Sequence, residues 1–84
     1  MVERITFEEQ KMKVYVAIVE DRHTDTDIQV FRDKEKAIEW AKRQAKANGR
    51  GSKLEETDVP DWVYSAFYGT GGDSVRVEEK EIII

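Results

Sequence analysis

The sequence contains no cysteine, one proline and one histidine in 84 residues. Without cysteine there is no disulfide framework, no thiol nucleophile and no thiolate metal site. The lone histidine, His23, excludes any multi-histidine metal centre. No apolar run approaches the roughly 18 residues that a membrane span needs. The N-terminal Met-Val-Glu-Arg-Ile has no apolar stretch, so a signal peptide is not expected and a cytoplasmic protein is. Positive charge is also short. Fourteen Lys and Arg face eighteen Asp and Glu, a formal net charge of −4. A protein that wraps nucleic acid is normally basic, so that class is not expected.

What remains is one small, heavily charged domain. Its length excludes a multidomain enzyme, a TIM barrel or a full dinucleotide-binding fold. Charged residues make up 38% of the chain, well above the usual share of about 25%. The apolar share is lean but adequate for one core.

The pattern along the chain predicts four strands and a helix. Residues 1–11 read as an N-terminal extension or a short extra strand over 2–7, ahead of a domain spanning 12–84. Met12–Glu20 alternates with apolar residues on both faces: Val14, Val16 and Ile18 on one, Tyr15, Ala17 and Val19 on the other. Asp21–Thr26 is a polar turn, and Asp27–Arg32 a second strand completing a hairpin. Asp33 caps a helix over about 33–48, whose buried stripe is mostly alanine (Ala37, Ala41, Ala45). Gly49 or Gly51 is expected to stop it. Residues 49–61 show no pattern. Trp62–Tyr68 alternates, with Trp62, Tyr64, Ala66 and Tyr68 on one face. Gly69–Asp73 is a turn, and Ser74–Ile84 a last strand. The expected fold is α+β, single-domain ββαββ: a mainly antiparallel four-stranded sheet with one helix packed on one face.

One helix is about 10 Å across, and a four-stranded sheet is nearly twice as wide. One sheet face therefore stays open, and soluble monomers rarely expose large apolar patches. Self-association through that face or an edge strand is expected, with Tyr15, Trp62, Tyr64 and Tyr68 as the interface residues. The alternative is that residues 2–7 and 52–61 fold over the open face.

Several constellations bear on chemistry. Glu20–Asp27 carries four acids and His23, so it offers cation-binding oxygens and a group suited to titration near neutrality. The calcium-loop template fails, for want of a glycine at the sixth position and a glutamate at the twelfth. A solvated hairpin held by its Asp and Thr side chains is the simpler reading. Gly69-x-Gly71-Gly72-Asp73 lacks the spacing and the following helix of a phosphate cradle. The basic run Lys42, Arg43, Lys46, Arg50, Lys53 is followed at once by Glu55, Glu56, Asp58 and Asp61, which are placed to neutralise it, so a solvated face is expected. Trp40, Trp62, Tyr64 and Tyr68 could stack on bases, but core or interface is the usual place for such aromatics.

Asp21-Arg22-His23, Trp62-Val63-Tyr64-Ser65-Ala66 and Gly72-Asp73-Ser74-Val75, with Met12–Val16 and the Ala37-Ile38/Ala41-Lys42 helix, resemble a group of short prokaryotic and phage-associated proteins of unassigned function. The likeness runs over about residues 12–81 and implies no activity. It does favour a ligand near the Asp-Arg-His turn, with Arg22, His23, Asp25 and Asp73 as candidates. No catalytic residue, metal or cofactor is expected. The leading expectation is a non-enzymatic module that forms a homodimer and binds another protein. The alternatives are a ligand or metal site at Glu20–Asp27, with or without catalysis, and nucleic-acid binding or mimicry.

Overall fold

The computed structural model describes residues 11–50, 53–69 and 72–83. In chain order they form β1 (Lys11–Glu20), β2 (Asp27–Phe31), α1 (Lys34–Gly49), β3 (Glu55–Thr57), β4 (Tyr64–Tyr68) and β5 (Asp73–Ile83). The strands make one antiparallel sheet in the order β2-β1-β5-β4-β3. The fold is therefore α+β with five strands, ββαβββ, and not the expected four. The extra strand, β3, lies inside the unpatterned stretch 49–61. Its three residues are polar and exposed, so no side-chain alternation betrays it. Pairing with β4 places Glu55 opposite Phe67 and Thr57 opposite Ser65. The short strand expected over residues 2–7 lies outside the described residues.

β1 and β5 pair along their whole length, from Lys11 opposite Ile83 to Glu20 opposite Ser74. This pairing joins the β1–β2 hairpin to the β4–β5 hairpin. β2 reaches only as far as Tyr15, and β4 only as far as Val77. Among the described residues, Lys11–Val14 and Lys80–Ile83 thus pair only with each other.

Helix α1 begins just after Asp33, whose own backbone is extended (φ −106°, ψ 123°). Its side chain accepts hydrogen bonds from the backbone N–H groups of Glu35 (2.8 Å) and Lys36 (3.3 Å). A cap of this kind stabilises a helix by about 1 kcal/mol. The far end departs from expectation. Gly49 is still helical, and Arg50 takes the left-handed conformation at φ 53°. Ala37, Ala41 and Ala45, four residues apart, are all buried. Without bulk on that stripe, the helix sits close over Ala17, Val19, Ala66, Tyr68, Val75 and Val77, which supply the volume. Phe31 and Trp40 close one rim, their rings 6.0 Å apart.

Among the described residues, the opposite sheet face carries no helix, although Val14 on that face is 4% exposed. Val16 and Ile18 lie there beside Val30 and Ile28 of β2. Toward β4, the chain folds back over part of this face. The Trp62 N–H donates to the Val59 carbonyl at 3.0 Å, closing a turn around Pro60. Trp62 therefore does not continue the β4 alternation. The turn delivers its ring to the helix-free side, with the Arg76 guanidinium 5.1 Å from its centroid.

Candidate functional site

The two hairpin ends meet at Asp21. The backbone makes the first contacts: the Thr24 N–H donates to the Asp21 carbonyl, and the His23 N–H to Asp21 Oδ1 at 2.8 Å. An Asp at the first position of a turn holds it in this way. His23 Nδ1 lies 3.2 Å from the same oxygen. The other oxygen, Oδ2, accepts from the buried Tyr68 hydroxyl at 2.8 Å. From the second hairpin, Asp73 Oδ1 accepts the Arg22 N–H at 3.1 Å. A residue 51 positions downstream thereby braces the first turn.

The electrostatics follow from these contacts. The His23 backbone N–H, seconded by the Tyr68 hydroxyl, holds the Asp21 carboxyl below the ordinary aspartate range. Burial pushes the Tyr68 hydroxyl up to about 12, and the Asp21 charge adds to that rise while the Asn48 side chain opposes it. Asp21 is ionised at neutral pH and Tyr68 is a neutral donor.

One ligand atom each from Asp21, His23 and Asp73 lies within 4.8 Å of the others, a spacing that suits a cation. Both Asp21 oxygens and Asp73 Oδ1 are already engaged in hydrogen bonds, however. No buried side-chain polar atom among the described residues lacks a partner. The cluster is chemically a clasp between two hairpins. Beside it, Asp21, His23, Thr24, Ala47, Asn48 and Arg50 line an open cleft of about 430 Å³.

Of the four expected ligand residues, His23 and Asp73 do converge. Arg22 contributes its backbone N–H to Asp73, and Asp25 is exposed, outside the cluster. Asp21 and Tyr68, the centre of the network, were not among the four. The Tyr68 contact spans 47 positions, so no local spacing reveals it. Gly69 and Gly72 have φ of +70° and +85°, as a glycine turn requires. A phosphate cradle there is disfavoured by charge, since Asp73 Oδ2 would lie 3.6 Å from a Cβ at Gly69.

The expected interface set does not share a face. Tyr68 is 1% exposed in the core, and Tyr15 and Tyr64 pack against that core. The reason is pleat: all three occupy positions that face α1. Trp62 alone lies on the helix-free side. Trp62 is the one member of the set that is exposed, at 37%; the remaining exposed large apolar residues among those described are Ile28 (54%), Val30 (58%) and Phe67 (46%), with Ile82 and Ile83 at the end of β5. Between the β2 side and Phe67, β5 places a charged row. Arg76 donates from Nε to Glu78 at 2.7 Å and from Nη1 to Glu20 at 2.9 Å, and Lys80 lies 3.4 Å from Glu78. The open face is thus two apolar patches divided by ion pairs. Beyond the row, Val59, Trp62, Phe67 and Arg76 help to line a shallow cleft of about 300 Å³.

The basic run on α1 is partly neutralised. Lys42 lies 3.6 Å from Glu56 and over the Tyr64 ring, and Arg43 lies 3.8 Å from Glu39. No described helix is long and apolar enough to cross a membrane. The chain matches no family model, no curated protein and no solved structure.

Proposed function

We propose that the protein is a small interaction module that self-associates through the helix-free side of its sheet. One observation carries the reading: Ile28 and Val30, neighbours on that side, are each more than half exposed beside Val16 and Ile18. An apolar patch on a sheet with one covered face is what an interface presents. The β5 ion pairs limit the contact to a part of the face, so the whole sheet does not stack on a second one. A ligand or metal site at Glu20–Asp27 is less favoured, because Asp21 already spends both oxygens within the clasp and Glu20 pairs with Arg76. Nucleic-acid binding is less favoured, because Lys42 and Arg43 have acidic partners.

Light scattering or sedimentation across a concentration series tests this. The mass should rise from one chain toward two. Added salt should strengthen association, because each copy carries a net −4 and the contact is apolar. A single-chain mass at every concentration overturns the reading.

A further inference from the structure

Among the described residues the sheet ends at β2 and β3, and these two edges differ in how they guard their outward backbone groups. An edge strand exposes a row of N–H and C=O groups, which natural sheets usually protect with charge, proline or extreme shortness. The β3 edge has two of these devices: it is three residues long, and two of them are Glu55 and Glu56. The β2 edge has little. It runs for five residues, Asp27–Phe31, and carries no charge between its first residue and Arg32. Its side chains Ile28 and Val30 are the same ones that make the exposed patch.

We infer that β2 pairs antiparallel with β2 of a second copy about a two-fold axis at Gln29, making one continuous ten-stranded sheet. The inference rests on the self-association proposed above and names its geometry. A two-fold axis normal to the sheet keeps the same face outward in both copies, so opposed residues must be both even or both odd. Three centres fall within the strand interior. Centring on Ile28 sets Asp27 opposite Gln29 and Thr26 opposite Val30. Centring on Val30 sets Ile28 opposite Arg32. Only centring on Gln29 sets Ile28 opposite Val30 twice, joining four apolar side chains into one cluster. That cluster continues onto Val16 and Ile18 of each copy, since Val16 pairs with Val30 and Ile18 with Ile28. The strand is therefore complementary to itself, which points to a second copy as the occupant.

Area sets the strength. Two five-residue strands and four partly exposed side chains bury on the order of 500 Å² in all, against about 1,200–2,000 Å² in a standard stable interface. The dimer should be reversible and concentration-dependent, held jointly by backbone hydrogen bonds and the apolar cluster.

The absence of cysteine makes a direct test possible. In this register Gln29 faces its own counterpart at a Cα separation of about 4.5–5.5 Å, within reach of a disulfide. Gln29→Cys should give covalent dimers under mild oxidation. Asp27→Cys, whose two copies are offset by about 13 Å, should give roughly tenfold less. Val30→Lys should weaken association of the cysteine-free chain by roughly tenfold or more. Phe67→Lys, across the β5 charges, should leave it unchanged. A concentration-dependent dimer in which Gln29→Cys does not link, or which Phe67→Lys dissolves, overturns the edge pairing while the self-association reading stands. A chain that is monomeric throughout overturns both.

Discussion

The two faces of the sheet are cut from the same strands and finished in opposite ways. Along β1, Ala17 and Val19 are buried beneath α1. Val16 and Ile18, one residue away, turn to a face that no described helix covers. On the closed side the contact is alanine against larger sheet residues, and among the described residues every buried side-chain polar atom has a partner. On the open side apolar residues remain in solvent, separated by a row of ion pairs. The described core cluster lies on the helix-covered face, so that face carries most of the packing that holds the chain folded. On the other face Val14 is comparably buried, and the β2 part, with Ile28 and Val30 in solvent, is the part free to serve binding. Each half of that statement is open to experiment.

The largest effect should come from the closed face. Ala41 is fully buried in the middle of the helix stripe. Ala41→Glu forces a carboxylate without a partner against the sheet, or pushes the helix away. An uncompensated buried charge costs about 3–5 kcal/mol, comparable to the whole margin of a domain this small. Circular dichroism and urea titration should find the variant largely unfolded. A folded, cooperative Ala41→Glu protein would break the claim that this face holds the chain together.

A smaller effect is expected at the rim of the same face, where Tyr68 donates to Asp21. Tyr68→Phe keeps the ring and leaves Asp21 Oδ2 without that donor, at a cost of about 1–3 kcal/mol. The pH dependence follows from the raised hydroxyl. Folded Tyr68 holds its proton up to about 12, whereas an unfolded tyrosine loses it near 10. Its contribution to stability is complete below the lower value and is lost as pH rises through the higher one. The wild type should therefore lose stability between these two values. Tyr68→Phe should lose less over the same interval, measured by urea midpoints. Equal slopes would separate Tyr68 from the alkaline transition.

The closed face was largely legible in the residues, and the open face was not. Alanines at intervals of four, a capping Asp33 and alternation in β1 mark elements that obey local periodicity. What escaped depends on partners far along the chain. β3 exists because β4 offers it a ladder, not because Glu55–Thr57 has a strand pattern. Trp62 looked like a strand residue in phase with Tyr64, but the turn at Pro60 delays the strand and reverses its side. For the tyrosines, spacing gave the shared face of Tyr64 and Tyr68 and left its cover undetermined. The candidate site was half legible: His23 and Asp73 stand in recognisable turns. Their meeting, and the role of Asp21 between them, needs the β1–β5 register.

The smallest effects compare ion pairs on the two sides. On the open face Arg76 is largely shielded, bonds Glu78 at 2.7 Å and Glu20 at 2.9 Å, and stacks over Trp62. On the helix side, Lys42 and Glu56 lie 3.6 Å apart and both are about half exposed. Glu78 is held below the ordinary glutamate range chiefly by Arg76, which marks the first pair as electrostatically coupled. Double-mutant cycles with Arg76→Met and Glu78→Gln should give a coupling of about 1 kcal/mol. Cycles with Lys42→Met and Glu56→Gln should give less than about 0.5 kcal/mol, because solvent screens the pair and ordering two flexible side chains offsets the attraction. The β5 pairs would then be a fixed divider between the two apolar patches, which confines association to one side of them. Equal couplings would remove that divider, and with it the reason for the contact to stay at the β2 edge.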